Sequence, residues 1–505
     1  MRHKNKNRKK ITLLNTISAF VLQLALIINN FIIPKLILSY FGSETNGLIS
    51  SVTQFLNYIT LLEGGLSGVV AAALYGPLVR KDTGKINAIV AATKKFYKKI
   101  GYIFAIYSIF LAIIYPIVTK TPFSYQYVSS IIVILSITMI FQYMLSLTYK
   151  TLLTADKKAY IVSFTQAFLK IAEILLAFIC VKVYPDIHIL KIITGALFIS
   201  QPIIYSKYAK NKYSLHKEHA VDESLLSSRW DGFSMNLAAF IHNVTDTTML
   251  TIFTNLSTVS VYSVYALVSS GLKSIINSTV SSLNPTLGQT YAKGDIEGLK
   301  KKMDVYEYIV FVLVSLLFSA AILLIVPFIM IYTKNISDTN YNQPIFATLL
   351  LISEAIYLIK LPHSNLAYSA NKFKDVALSG YIEAGINVAL SLILTPMLGL
   401  VGASIGTIVA MTYRMAYHVW FTTTLIRGRR QSIFYKKMII FSSASIIGII
   451  ICKTIFPLSD TVTTLNWVMH ALIYILTIGI VLLIVSSIFY KKELAQLRSY
   501  LFAKR

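Results

Sequence analysis

Charge is what this sequence has least of. Asp and Glu together number 21 in 505 residues, and charged residues of both signs reach 13%, about half of the roughly 25% usual in soluble domains. With 55% hydrophobic residues and a mean hydropathy of +0.66, that scarcity excludes a string of soluble domains and leaves an integral membrane protein. Cysteine is nearly absent as well. Cys180 and Cys452 both lie inside apolar runs, so no disulfide framework, CxxC redox pair or metal site is expected. The sequence has no GxxxxGK[ST] phosphate loop, which removes direct ATP hydrolysis as a drive. Paired carboxylates in connecting segments are confined to Asp222 and Glu223, read as solvating a polar loop. With connections this short, a membrane glycosyltransferase or polysaccharide polymerase, which needs a sizeable extramembrane part to hold sugars, is disfavoured. No catalytic residue is expected.

Basic residues, by contrast, were kept: 47 Lys and Arg give a net charge of +26. A nucleic-acid binder would need them on a solvated face, and a chain this apolar has little such face. The charge concerns a bilayer. Apolar stretches of about 20 residues, enough to cross roughly 30 Å of hydrocarbon, number fourteen: roughly 11–37, 45–75, 97–119, 127–149, 159–182, 187–206, 231–254, 258–283, 307–332, 343–362, 376–396, 400–425, 434–456 and 466–490. The basic start of the chain resembles a signal n-region, but no small-residue cleavage site follows and the first apolar run is too long. It reads as the first membrane helix. With the N-terminus in the cytoplasm, the basic clusters at 2–10, 80–99, 150–158, 207–229, 293–302, 360–374, 427–437 and 491–505 all fall on the cytoplasmic side. The other side keeps Lys35, Lys120, Lys182, Lys191, Lys334 and Lys453, an alternation that the loss of any one helix would spoil. Both termini are then cytoplasmic.

The chain also repeats itself. At an offset of about 213 residues, Arg80-Lys81-Asp82-Thr83-Gly84 parallels Lys293-Gly294-Asp295-Ile296-Glu297, and Ala155-Asp156-Lys157-Lys158 parallels Ala370-Asn371-Lys372-Phe373. Glu173 and Asn387 then occupy corresponding positions. Six helices separate the copies, an even number, so the repeat is parallel. The expected fold class is an all-α integral membrane protein of about fourteen transmembrane helices. The expected organisation is a six-helix lobe at 1–206, a cytoplasmic linker at 207–230, a second six-helix lobe at 231–426, and a helix pair with a basic tail at 427–505.

Six helices, six and two, the pattern Leu62-Glu63-Gly64-Gly65-Leu66-Ser67-Gly68 in the second span and the turn Tyr291-Ala292-Lys293-Gly294-Asp295 together resemble the multidrug/oligosaccharidyl-lipid/polysaccharide exporter superfamily. Within it the chain looks most like Wzx-type flippases for lipid-linked polysaccharide repeat units. The resemblance runs from about residue 11 to 490, and its motifs are degenerate; many relatives carry Asp where this chain has Glu63. It implies two helical bundles in a V around a cavity, alternating access, and a groove for a polyprenyl tail on the last two helices.

A charged side chain inside a span costs about 2.5 to 3.5 kcal/mol on insertion scales, so each needs a partner or a function. The cations are Lys170, Lys273 and Arg414; the acids are Glu63, Glu173, Asp246, Glu354 and Glu383; His242 and His418 are titratable neighbours. Lys170 and Glu173, three apart on one helix, either neutralise each other or face the first lobe's cavity. Lys273 and Arg414 have no acid within a turn of their own helix. Each is either a pyrophosphate contact, for which the guanidinium fork is well shaped, or a bridge to Asp246, Glu354 or Glu383. Asp246 reads as a proton or sodium relay or as part of a polar cluster. Glu63, beside glycines, is expected to face an interior gap. Tyr262, Tyr265, Tyr381 and Tyr413 offer ring faces for sugars, or belong to interfacial belts.

The leading expectation is a flippase carrying an undecaprenyl-pyrophosphate-linked oligosaccharide from the inner to the outer leaflet of a bacterial cytoplasmic membrane, for capsule, exopolysaccharide or O-antigen synthesis. Moving a negative charge outward releases about 2.3 kcal/mol per 100 mV, so voltage could drive it, with H+ or Na+ coupling optional. A lipid II flippase and a cation-coupled multidrug exporter are the alternatives, a polymerase the remotest. Expected partners are the lipid-linked oligosaccharide, membrane lipids, and the polymerase and glycosyltransferases of the same pathway; nucleic acid is not among them.

Overall fold

Hydrocarbon offers no partner for a backbone N–H or C=O, so an apolar run long enough to span must satisfy its own, and a helix does this within one segment. Accordingly, the computed structural model is built of helices joined by short turns, with no strand among its described residues, which are 2–63, 66–213, 233–281, 283–458 and 463–502. Gly64, Gly65, Asp222 and Glu223 lie outside them, as does the side chain of His242. The chain divides into two units, Met1–Phe240 with Thr254–Ser260, and Ile241–Phe253 with Val261–Arg505.

The first unit holds α1 (Arg2–Leu56), a 3-10 stretch (Asn57–Glu63), α2 (Leu66–Arg80), α3 (Thr83–Val118), α4 (Tyr125–Phe141), a π-helical turn (Gln142–Ser146), α5 (Leu147–Ala155), α6 (Ala159–Val183) and α7 (Ile187–Lys212). Helix α1 is too long for one crossing, and Gly42, at φ 81° and ψ 175°, divides it into two arms. A residue at that φ is strained unless it is glycine. The second arm, the 3-10 stretch and α2 form the second span, whose change of helical type ends at Glu63, where the glycine-rich pattern predicts a kink. Helix α1 packs on α6, α3 on α4, and α7 on both α4 and α6, around a core that includes Leu48, Val52, Tyr97, Phe104 and Leu152. Helix α7 runs to Lys212, a turn and a half into the stretch expected to be linker.

The second unit takes most of α8 (Phe233–Phe253) and α9 (Leu256–Ser281), then α10 (Asn284–Ala292), α11 (Ile296–Tyr332), α12 (Pro344–Ile359), α13 (Leu361–Ser369), α14 (Phe373–Leu398), α15 (Leu400–Leu425), α16 (Ser432–Ile455), α17 (Thr464–Phe489) and α18 (Lys491–Phe502). Helices α16 and α17 pack on each other and on α11. Helix α15 lies tightly against α14 because glycines face it: a Cβ on Gly402 would stand 2.1 Å from the Leu394 carbonyl oxygen. Among the described residues, eleven helices are long and apolar enough to cross a membrane. One of these, Lys10–Glu63, is divided by Gly42, and α8 and α15 are transmembrane in length but too polar to be counted. With these the fourteen spans expected from the sequence are accounted for. The chain is a multi-pass membrane protein.

The repeat is visible in local geometry. Asp82 caps α3 by accepting from the Lys85 N–H at 3.0 Å, and Asp295 caps α11 by accepting from the Gly298 N–H at 2.8 Å. Lys81 and Gly294 hold positive φ (57° and 69°) just before these caps, as Lys157 and Asn371 (61° and 58°) do in the turns before α6 and α14.

Candidate functional site

In the first unit Lys170 and Glu173 do meet, Nζ to Oε2 at 2.8 Å. Asn29 on α1 donates to the same Glu173 oxygen at 3.0 Å, and Lys170 Nζ stands 4.2 Å from the centre of the Phe198 ring. The ammonium is thus held by a carboxylate and a ring face at once. Glu63 is hydrogen-bonded by Tyr143 and faces the Lys150 ammonium. Tyr143 belongs to the π-helical turn, a geometry that recurs at functional positions. The phenols of Tyr97 and Ser67's hydroxyl close the cluster at 3.0 Å.

The second unit gathers more charge. Lys273 on α9 reaches Glu354 on α12 at 2.8 Å and lies 5.3 Å from the centre of the Tyr357 ring. Arg414 on α15 puts Nη1 3.1 Å from Glu383 Oε2, both side chains buried, while its Nε donates to His418 Nε2 at 2.9 Å. The approach to Glu383 is not angled as a hydrogen bond, so Nη1 keeps unspent donor capacity, and Glu354 Oε2 likewise has no partner. Lysine and arginine, without an acid on their own helices, have found one on a neighbour. Glu354 comes from a helix far along the chain and Glu383 from the helix next to Arg414's own, and the sequence could name these acids but not pair them.

Asp246 on α8 is held by hydroxyls rather than cations: Thr407 donates to Oδ1 at 2.7 Å and Tyr262 to Oδ2 at 3.2 Å. Asn387 in turn donates to Thr407 at 3.0 Å. On α14 the buried oxygens Asn387 Oδ1, Ser391 Oγ and Thr395 Oγ1 have no hydrogen-bond partner, a row of acceptors one turn apart beside Asp246's hydroxyl contact. Tyr262 is therefore committed to Asp246, and Tyr265 to the Tyr341 carbonyl at 2.7 Å. Tyr381 is exposed, as a belt residue would be.

Two features escape a reading by loops and spans. Lys360 belongs to a basic cluster that the sequence places on the cytoplasmic side, yet it is buried at the junction of α12 and α13, 7% exposed. Its ammonium stands 4.7 Å from the centre of the Tyr357 ring and interacts with Glu383, Arg414, Lys273 and Glu354. Among the described residues it forms no ion pair, unlike Lys273 and Arg414. The second is Glu307 on α11, fully buried. Arg429 Nη2 and Lys437 Nζ meet its two oxygens at 2.8 and 2.9 Å, with His363 Nε2 at 3.2 Å from the first. Asp304 completes the network, 2.9 Å from Arg429 Nη1. Arg429 and Lys437 likewise belong to a cytoplasmic-side basic cluster and are buried. A basic residue beside a span end looks the same in sequence whether it points to water or back into the bundle; Glu307, adjacent to an apolar run and flanked by Tyr306 and Tyr308, was the available signal. No metal-binding group of three or more His, Cys, Asp or Glu occurs among the described residues.

No protein-family model matches the chain, and no curated protein matches it. Solved structures do. Lipid II flippase MurJ, in its inward closed conformation, superposes with a TM-score of 0.71 at 16% identity, covering 95% of this chain and 99% of MurJ. The fold is that of MurJ and the MATE transporters. An inward-facing multidrug resistance MATE transporter of the MOP superfamily gives 0.64 at 12% identity over 80% of this chain and 96% of its own. The eukaryotic MATE transporter AtDTX14 gives 0.59 at 13% over 86% and 98%. Identities this low establish architecture.

Proposed function

We propose that this protein is a flippase that carries a polyprenyl-pyrophosphate-linked oligosaccharide repeat unit from the inner to the outer leaflet of a bacterial cytoplasmic membrane by alternating access, for capsule, exopolysaccharide or O-antigen synthesis. The observation that carries the reading is the buried cation cluster of the second unit. Lys360 and Arg414 are buried in membrane-spanning segments and Lys273 is half-buried beside Glu354; among the described residues Lys360 forms no ion pair, and Arg414 Nη1 has no hydrogen-bond partner. A pyrophosphate supplies the charge and the acceptor oxygens that these groups lack. Lys170 in the first unit, balanced by Glu173, could exchange that partner for the same ligand. The 95% coverage by the MurJ superposition, against 80% by the MATE, supports a chain whose last helices belong to the transporter architecture, with a lipid tail as their natural occupant.

Asp246 is proposed as the coupling site. Its carboxylate, the Thr407 hydroxyl and the unpartnered oxygens of Asn387 and Ser391 are hard donors suited to a sodium ion, and the carboxylate alone suits a proton. Glu63, hydrogen-bonded by Tyr143, would be the first unit's counterpart. Inward movement of a cation would add to the voltage drive on an anionic substrate. The pathway's polymerase and glycosyltransferases are proposed partners, and both termini are placed in the cytoplasm by the distribution of basic residues.

A second reading, transport of lipid II itself, is favoured by the likeness to MurJ. The test is transport in proteoliposomes holding the purified protein and one of three fluorescent cargoes: an undecaprenyl-pyrophosphate oligosaccharide, lipid II, or a cationic dye. Faster translocation of the oligosaccharide lipid than of lipid II supports the first reading, and the reverse order the second. Dye movement without lipid movement would refute both.

A further inference from the structure

At the basic end of the first unit, helix ends line a cavity of about 310 Å³ that includes none of the charged residues of the candidate functional site above. Lys81, Lys158 and Lys212 line it, with Asp156 the acid among its lining residues. The cavity is held in shape by Tyr213, which donates to Asp156 and accepts from Lys158 Nζ at 2.8 Å. Burial, followed by the neighbouring carboxylate, pushes the Tyr213 phenol far up its range, so it stays a donor. Lys158 is therefore neutralised by Asp156, while Lys81 and Lys212 form no ion pair among the described residues. Thr83, Ile86 and Asn87, from the start of α3, line it as well, beside a helix N-terminus that the Asp82 carboxylate already caps. Leu78 and Ile86 provide an apolar wall.

The repeat supplies an internal control. Matched by helix ends, which shift the sequence alignment by one residue at the second turn, the second unit has Gly294, Ala370, Leu425 and Ile426 in place of Lys81, Asp156, Lys212 and Tyr213. The fold therefore does not require these polar groups. Gly294 takes φ 69° without strain, whereas Lys81 holds φ 57° with a side chain, a conformation that L residues other than Asn and Asp seldom adopt. A lysine is kept at a position where glycine serves the backbone better.

We infer that this cavity is a binding site for the phosphate headgroup of an anionic phospholipid in the leaflet facing the basic loops. The ammonium groups of Lys81 and Lys212 meet the phosphate, and the apolar wall meets the start of the tails. Basic pockets between transmembrane helices recognise phosphate headgroups in this way. The site shares no residue with the cations proposed to meet the transported pyrophosphate, and it stands whether or not that proposal does.

The test uses the full-length protein in nanodiscs of phosphatidylcholine doped with phosphatidylglycerol, reading retained lipid by native mass spectrometry. Lys81→Gly with Lys212→Gln should weaken phosphatidylglycerol retention by about thirtyfold. Lys98→Gln with Lys99→Gln, which removes the same charge from the same basic end outside the cavity, should change it less than threefold. Lys81→Gly also relieves the backbone, so the variant should survive heating at least as well as the parent in phosphatidylcholine alone, separating lost binding from lost folding. Equal losses in the two pairs, or no preference for phosphatidylglycerol in the parent, overturns the site. Inorganic pyrophosphate should bind at least tenfold more weakly than the lipid; equal binding overturns the assignment to a lipid.

Discussion

Removing Arg414 should first of all harm the fold. Its Nη1 lies 3.1 Å from Glu383 Oε2, with the two side chains 4% and 5% exposed. At an effective dielectric of about 20, unit charges at that distance attract by roughly 5 kcal/mol, and withdrawing both from water costs several kcal/mol per ion. The pair nets little, but half of it is expensive. Losing one partner of a buried pair costs about 3 to 5 kcal/mol, so Arg414→Met should destabilise by about that much, and Glu383→Gln by less, since the amide still accepts a hydrogen bond. The double variant should recover most of the loss, falling short by about 1 kcal/mol because His418 also loses its donor. The four proteins form a double-mutant cycle, read as the fraction that remains monodisperse on size exclusion after graded heating at one fixed rate. If the Arg414→Met protein is as stable as the parent, or the double variant no better than the worse single one, the bridge is not structural. Affinity for a polyprenyl-pyrophosphate oligosaccharide, measured on the rescued double variant, then isolates the ligand role: a loss of roughly tenfold or more keeps Arg414 as an anion contact, and unchanged affinity moves that contact to Lys360.

Lys360→Gln should lower affinity for the same lipid by about tenfold while improving thermal survival, because an unpaired buried ammonium is replaced by a neutral group; a fall in survival with intact affinity would make Lys360 structural. Asp246→Asn should leave folded protein in the membrane and abolish the response of transport to an imposed Na+ or pH gradient, measured in proteoliposomes; an unaltered response returns Asp246 to a polar packing role. Gly402→Val should cut the yield of folded protein severely, since even a Cβ there would stand 2.1 Å from a backbone oxygen of α14, whereas Gly271→Ala, with open space around it, should be tolerated. Reporter fusions after Arg229 and Arg505 should be cytoplasmic and insertions near Asn255 and Leu398 external; any reversed pair breaks the fourteen-span topology.

Much of the architecture follows from the sequence alone. Apolar length sets the spans because the bilayer has one thickness, and the repeat was readable because turns with a cap, such as Asp82 and Asp295, keep their chemistry at a fixed offset. The list of intramembrane charges was also legible, since a charge in an apolar run stands out whatever it touches. Pairing was not. Lys273 with Glu354, Arg414 with Glu383 and Asp246 with Thr407 join residues 81, 31 and 161 positions apart in sequence, and nothing local to either partner encodes which side chain meets it. Span edges misled most. Lys360, Arg429 and Lys437 sit where water is expected, and only the packing of α11, α13 and α16 turns them inward, because a long side chain at a helix end can point either way at little local cost and the tertiary neighbours supply the carboxylate or ring that decides.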